Sequence, residues 1–252
     1  MTDSDAVSAA TLSRPSALVA LPGTGSDADY ARRAFAPAAQ ALGVELIAVD
    51  PTADGIEAGY RRALDAAAAR HRHLLVGGVS IGACVALDWA VDDDRCVGVF
   101  AALPPWIDSA RDAPASHSAR ATAALIDRLG LDGAIEDMVA GSPAWLGAEL
   151  RRSWSAIGPA LRAHLGEAAE MAVPTHERIA ALRVPLIITA AVDDPVHPIA
   201  VARRWAECAT MSVLRSVTLE QWGADAAILG RESVQGWIAM TDGDDPSGSQ
   251  RP

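Results

Sequence analysis

Short apolar runs alternate with amphipathic segments along most of this chain, and that alternation restricts it more than any other feature. Strand-length runs separated by helix-length amphipathic stretches point to a mostly parallel sheet with helices on both faces. Ala17–Leu21 (ALVAL) reads as the first strand and runs into Pro22-Gly23-Thr24-Gly25, with a helix expected over Asp29–Leu42. Val44–Val49 is the next strand, stopped by Asp50-Pro51, and Gly55–Arg70 is an alanine-rich helix. His73–Val79 (HLLVGGV) is a third strand, followed by Ile81–Val91, a helix with almost no polar face and therefore a buried one. Cys96–Leu103 completes this part and is closed by Pro104-Pro105.

The alternation then stops. Residues 107–182 carry helical patterning with Trp145 and Trp154 and no convincing strand. It resumes with a strand over Val184–Ala190, the loop VDDPVHP, a helix from Ile199 to Cys208, a strand over Ser212–Leu219 and a helix near Ala226–Met240. The expected fold is α/β, a mostly parallel sheet flanked by helices, with one helical insertion. Its parts are a core at 15–106 and 183–240 and an insertion at 107–182. Polar ends at 1–14 and 241–252 lack periodicity and read as disordered.

Composition removes several function classes. Among 252 residues half are hydrophobic, enough for a substantial core, and no run nears the ~20 apolar residues of a membrane span. The N-terminus shows no basic segment followed by an apolar one, so a secretory signal is not expected and a cytoplasmic location is. A formal charge of −11 argues against a nucleic-acid partner, which requires a basic face. The chain has no lysine, all its Lys/Arg-type cations being arginine; with so much alanine, this reads as the coding bias of a GC-rich bacterial genome. Cys84, Cys96 and Cys208 lack the spacing of a zinc or redox motif and read as small hydrophobes.

Gly78-Val79-Ser80-Ile81-Gly82 fits G-x-S-x-G, and its setting adds weight, because an apolar strand ends on the serine and a buried helix begins after it. Such a turn lifts the Ser80 hydroxyl out of the sheet and aims the Ile81 amide at a developing oxyanion. Thr24, in the loop after the first strand, is the candidate for a second amide donor. A phosphate-binding alternative for that loop fails on spacing and on the missing lysine.

The segments LPGTG, GVSIG and RIAALRVPLIITAAVDDPVHP together resemble the α/β-hydrolase superfamily of the capped serine type, from about Ser16 to Ile238. The resemblance implies a helical cap at 107–182, Ser80 as nucleophile and a triad acid in the VDDPVHP loop. Asp194 matches that acid best and Asp193 is the alternative, while either could simply cap the following helix. It also implies a histidine after the last strand, and Ala224 stands there, behind Gly223.

The six histidines are His71, His73, His117, His164, His176 and His197, none later in the chain. Position 224 therefore marks a natural loss, a His→Ala substitution, or a base supplied from elsewhere. His197 is the alternative base, Asp225 is more readily a helix cap, and His117, His164 and His176 either line a pocket or face solvent. The expected activity is hydrolysis of an ester, lactone or thioester by an impaired or atypical triad, without metal or organic cofactor. The other reading is a catalytically silent protein that binds a small molecule on the same fold. Ser80 is expected in strained backbone at the end of a central strand, with the insertion over its mouth and Trp145 or Trp154 in the roof. The sequence leaves the substrate and the oligomeric state open.

Overall fold

The computed structural model describes residues 14–241, so the disorder expected at the two ends falls almost wholly outside the described residues. Six parallel strands form one sheet in the order β2-β1-β3-β4-β5-β6, with β1 Ala17–Leu21, β2 Glu45–Ala48, β3 Leu74–Val79, β4 Cys96–Ala102, β5 Leu186–Ala191 and β6 Ser212–Val217. β1, β3, β4 and β5 are buried along their whole length. That is why they read as unbroken apolar runs rather than as alternating ones.

One face of the sheet is covered by α1 (Ala28–Leu42) and α10 (Ile228–Thr241), packed around Phe35, Leu75, Phe100 and Trp237. The other face takes α2 (Ile56–Ala68), α3 (Ile81–Ala90) and α8 (Ile199–Cys208), packed around Tyr60, Leu64, Leu87 and Trp205. All ten residues of α3 are buried, as its lack of a polar face requires. Between β4 and β5 the chain inserts α4 (Pro114–Gly141, broken at Gly130), α5 (Ala144–Ile157), a short 3₁₀ turn, α6 (Leu161–Glu170) and α7 (His176–Ala181). This insertion has a small core of its own around Ile135, Trp154, Leu161 and Leu165. No helix among the described residues is long and apolar enough to cross a membrane.

The insertion is tied to the sheet domain by polar contacts. The Glu167 carboxylate on α6 accepts the amides of Ile56 (2.8 Å) and Glu57 (2.8 Å), supplying an anion to the N-terminus of α2. His164 lies buried beside it, with Nε2 2.9 Å from the Thr52 carbonyl oxygen. A carbonyl only accepts, so Nε2 carries the proton.

The chain after β6 departs from expectation. The strand stops at Val217, and Leu219–Ala224 forms α9. Thr218 and Gln221 build a reciprocal capping box, with the Gln221 amide on Thr218 Oγ1 (3.1 Å) and the Thr218 amide on Gln221 Oε1 (2.9 Å). That pair satisfies two orphan amides and converts the expected end of the strand into a helix start.

Candidate active site

β3 delivers Ser80 to the carboxyl end of the sheet, and the chain reverses there directly into α3. Ser80 has φ 53° and ψ −114°, a sparsely populated conformation for a side-chain-bearing residue that costs on the order of 1–3 kcal/mol. The surroundings hold it in place. Its amide donates to the Ala102 carbonyl (2.9 Å), and its own carbonyl accepts from Ala83 (3.0 Å) and Cys84 (3.2 Å). The glycines two residues away on either side allow the close approach: a Cβ on Gly78 would lie 2.5 Å from the Leu21 carbonyl oxygen, and one on Gly82 would lie 2.4 Å from the same atom. Any side chain at either position would collide with β1.

The Pro22–Ser26 loop follows β1 and lies against this turn. The Ser26 amide donates to the Gly23 carbonyl (3.1 Å), and Gly25 sits at φ 75°, as the third residue of a type II turn requires. Tyr60, wholly buried, donates its hydroxyl to the Pro22 carbonyl (3.1 Å) and pins the start of the loop. Gly23 packs on Ser80, and a Cβ there would lie 3.6 Å from the Ser80 Cβ. Thr24 is thus next to a residue in contact with Ser80. Ile81 opens α3, at the helix start, where the first amides lack a partner from a preceding turn.

The loop after β5 brings the remaining groups. Asp194 Oδ1 accepts the amides of Val196 (2.7 Å) and His197 (3.2 Å), which folds Asp-Pro-Val-His into a tight turn ahead of α8. Oδ2 of the same carboxylate is 2.8 Å from His197 Nδ1, and His197 Nε2 is 3.0 Å from Ser80 Oγ. An ionised carboxylate only accepts, so Nδ1 bears the proton and Nε2 is left to accept from the serine hydroxyl. Burial raises the Asp194 pKa, but the His197 contact and two backbone amides outweigh it and hold the group below its ordinary value. The His197 side chain is 14% exposed and that of Asp194 4%, so the pair is shielded while Ser80 itself stays partly open.

The imidazole within hydrogen-bond reach of Ser80 is that of His197, three residues beyond Asp194. Ala224 ends α9 instead and lines a cleft of about 370 Å³ with Tyr30, Arg33, Trp145, Glu149 and Trp222, a lining that includes neither Ser80 nor His197. Asp193, the alternative acid, is occupied elsewhere: its Oδ1 accepts the Leu219 amide at the start of α9 (2.8 Å). Asp225 accepts the Ala227 amide (2.9 Å) and pairs with Arg231, as a residue leading into a helix does.

The other candidates divide. Trp154 is buried against the Pro22–Ser26 loop, and Trp145 packs on Trp222 at a centroid distance of 5.3 Å. His117 and His176 are exposed. Cys84 and Cys96 are buried, and burial pushes both thiols up, Cys96 to about 12.

No protein-family model matches the sequence, and no curated protein matches it. Solved structures do match in shape. A hydrolase from Oleispira antarctica superposes with a TM-score of 0.67 at 15% identity, over 87% of this chain and 91% of its own. A thermophilic esterase from Thermogutta terrifontis gives 0.63 at 18% identity, over 91% and 88%. The enol-lactonase from Burkholderia xenovorans gives 0.62 at 15%, over 86% and 90%. Identities this low speak to architecture alone, and the architecture agrees: a parallel sheet flanked by helices, with one long helical insertion. The chain has the α/β-hydrolase fold.

Proposed function

We propose that this protein is a serine hydrolase of carboxylic esters, lactones or thioesters, working through Ser80, His197 and Asp194. The observation that carries the reading is the unbroken path from Ser80 Oγ to His197 Nε2 (3.0 Å) and from His197 Nδ1 to Asp194 Oδ2 (2.8 Å). Serine hydroxyl is a weak nucleophile unless a neighbouring base takes its proton. His197 takes it as Oγ attacks the acyl carbon, and the amides of Thr24 and Ile81 receive the charge that builds on the carbonyl oxygen. The protonated imidazole, stabilised by Asp194, then gives its proton to the leaving alkoxide or thiolate. Water attacks the acyl-serine by the same route and restores the site. None of these steps calls on a metal or organic cofactor. The insertion at 107–182 serves as a cap, and α5, which packs on the Pro22–Ser26 loop, is the part of it next to the oxyanion donors.

The test is turnover of a short-chain aryl ester by the parent protein, lost by about 10⁶-fold in kcat on Ser80→Ala, as for other triads. A binding protein without chemistry would show no turnover to lose. Ala224→His is the companion variant. Because His197 already fills the hydrogen-bonding position at Ser80, a new imidazole at 224 is expected to leave activity within about threefold of the parent, as ordinary exposed substitutions do. A gain of several orders of magnitude would mean that His197 does not act as the base.

A further inference from the structure

The loop that carries the Thr24 amide is bracketed by two residues of α5. On its far side, Arg152 makes a two-pronged pair with Asp27, Nη1 to Oδ2 at 2.8 Å and Nη2 to Oδ1 at 2.8 Å. Asp27 also accepts the Tyr30 amide (3.1 Å) as the N-cap of α1, so the pair fixes the point where loop becomes helix. Glu149 grips the other side of the same guanidinium. Asp27 is 8% exposed, and two parallel charge-assisted bonds set its orientation as well as its distance.

Two residues further along α5, Trp154 presents the nitrogen edge of its indole to Gly25. A Cβ on Gly25 would lie 2.6 Å from Nε1 and 3.5 Å from Leu161 Cδ1. Trp154 is 4% exposed, yet among the described residues its Nε1 has no hydrogen-bond partner, nor has the buried Ser26 Oγ beside the same turn. The ring packs against the turn at Gly25, which has no side chain to yield.

We propose that α5 is a strut for the oxyanion loop, and that Arg152 and Trp154 are positioning residues which hold the Thr24 amide over Ser80. The insertion would then contribute to the chemical step itself, besides shaping what binds. The proposal rests on the reading of Ser80 as nucleophile. An oxyanion donor must stand 2.7–3.1 Å from the developing charge, and a displacement of ~1 Å forfeits on the order of a hundredfold in rate.

The experiment compares Arg152→Met, Arg152→Lys and Asp27→Asn with the parent in kcat and KM on a short-chain aryl ester. It adds the inhibition constant of an aryl boronic acid, whose tetrahedral adduct on serine places an oxygen in the oxyanion site. Arg152→Met is expected to lower kcat by about thirty- to a hundredfold and to weaken the boronic acid by a similar factor, with KM within threefold. Arg152→Lys should recover part of both. Asp27→Asn retains the helix cap while losing the charge pair, and serves if Arg152→Met melts early. A rise in KM with kcat and boronic-acid affinity unchanged would overturn the strut and leave α5 as pocket wall. If the parent neither turns over esters nor binds the boronic acid, the nucleophile reading falls and the strut with it. A parent that binds it, with variants that bind it equally well, overturns the strut alone.

Discussion

His197→Ala is expected to lower kcat on an activated ester by about four to six orders of magnitude while the protein stays folded. The size follows from the geometry. Nε2 of His197 stands 3.0 Å from the serine oxygen, and without it nothing among the described contacts can take the proton. The fold should tolerate the change, because the side chain belongs to a loop and to no core cluster. The turn itself is held by main-chain amides of residues 196 and 197 on Asp194, and alanine keeps both. Steady-state kinetics beside a thermal melt separate loss of the base from loss of structure.

Asp194→Asn is expected to cost about 10⁴-fold in kcat, the size seen when a triad acid becomes an amide elsewhere. The cause here can be traced to atoms. Because the amides of residues 196 and 197 both donate to Oδ1, an asparagine must turn its carbonyl oxygen to them. Its NH₂ then faces His197 Nδ1, which can only accept from it, so the ring proton moves to Nε2 and the acceptor facing Ser80 is lost. The same substitution should alter acid stability. The folded-state pKa of Asp194 is lowered, so its contribution to stability is complete above the ordinary value of 3.8 and is lost as pH falls through the lower folded value. The parent should therefore lose more stability than Asp194→Asn across the acid range below about 4. Denaturant midpoints at pH 6 and pH 3 for both proteins check the sign.

Much of the fold was legible because the buried strands are continuous apolar runs bounded by prolines and glycines. The elbow was legible for a stronger reason. Gly78 and Gly82 are dictated by the Leu21 carbonyl at 2.5 and 2.4 Å, a constraint that leaves a readable pattern around Ser80. The proposed base was harder to read. His197 follows Asp194 by three residues, and in a sequence that spacing is equally that of a turn ahead of a helix. Only the turn of Asp194 onto the amides of residues 196 and 197 aims the imidazole back at its own acid. The family resemblance places a histidine at 224, whereas Thr218-x-x-Gln221 carries the signal that the chain enters a helix after β6. The insertion's part was the least legible, since Arg152 meets Asp27 across 125 positions of sequence.

The central claim is that His197 activates Ser80, and the most direct measurement is covalent labelling with a fluorophosphonate, followed by peptide mass spectrometry. The account predicts one adduct per chain in the parent protein, on the peptide that holds Ser80, and no detectable adduct in His197→Ala over the same time. A parent whose Ser80 stays unmodified, or a His197→Ala protein labelled as fast as the parent, would contradict it.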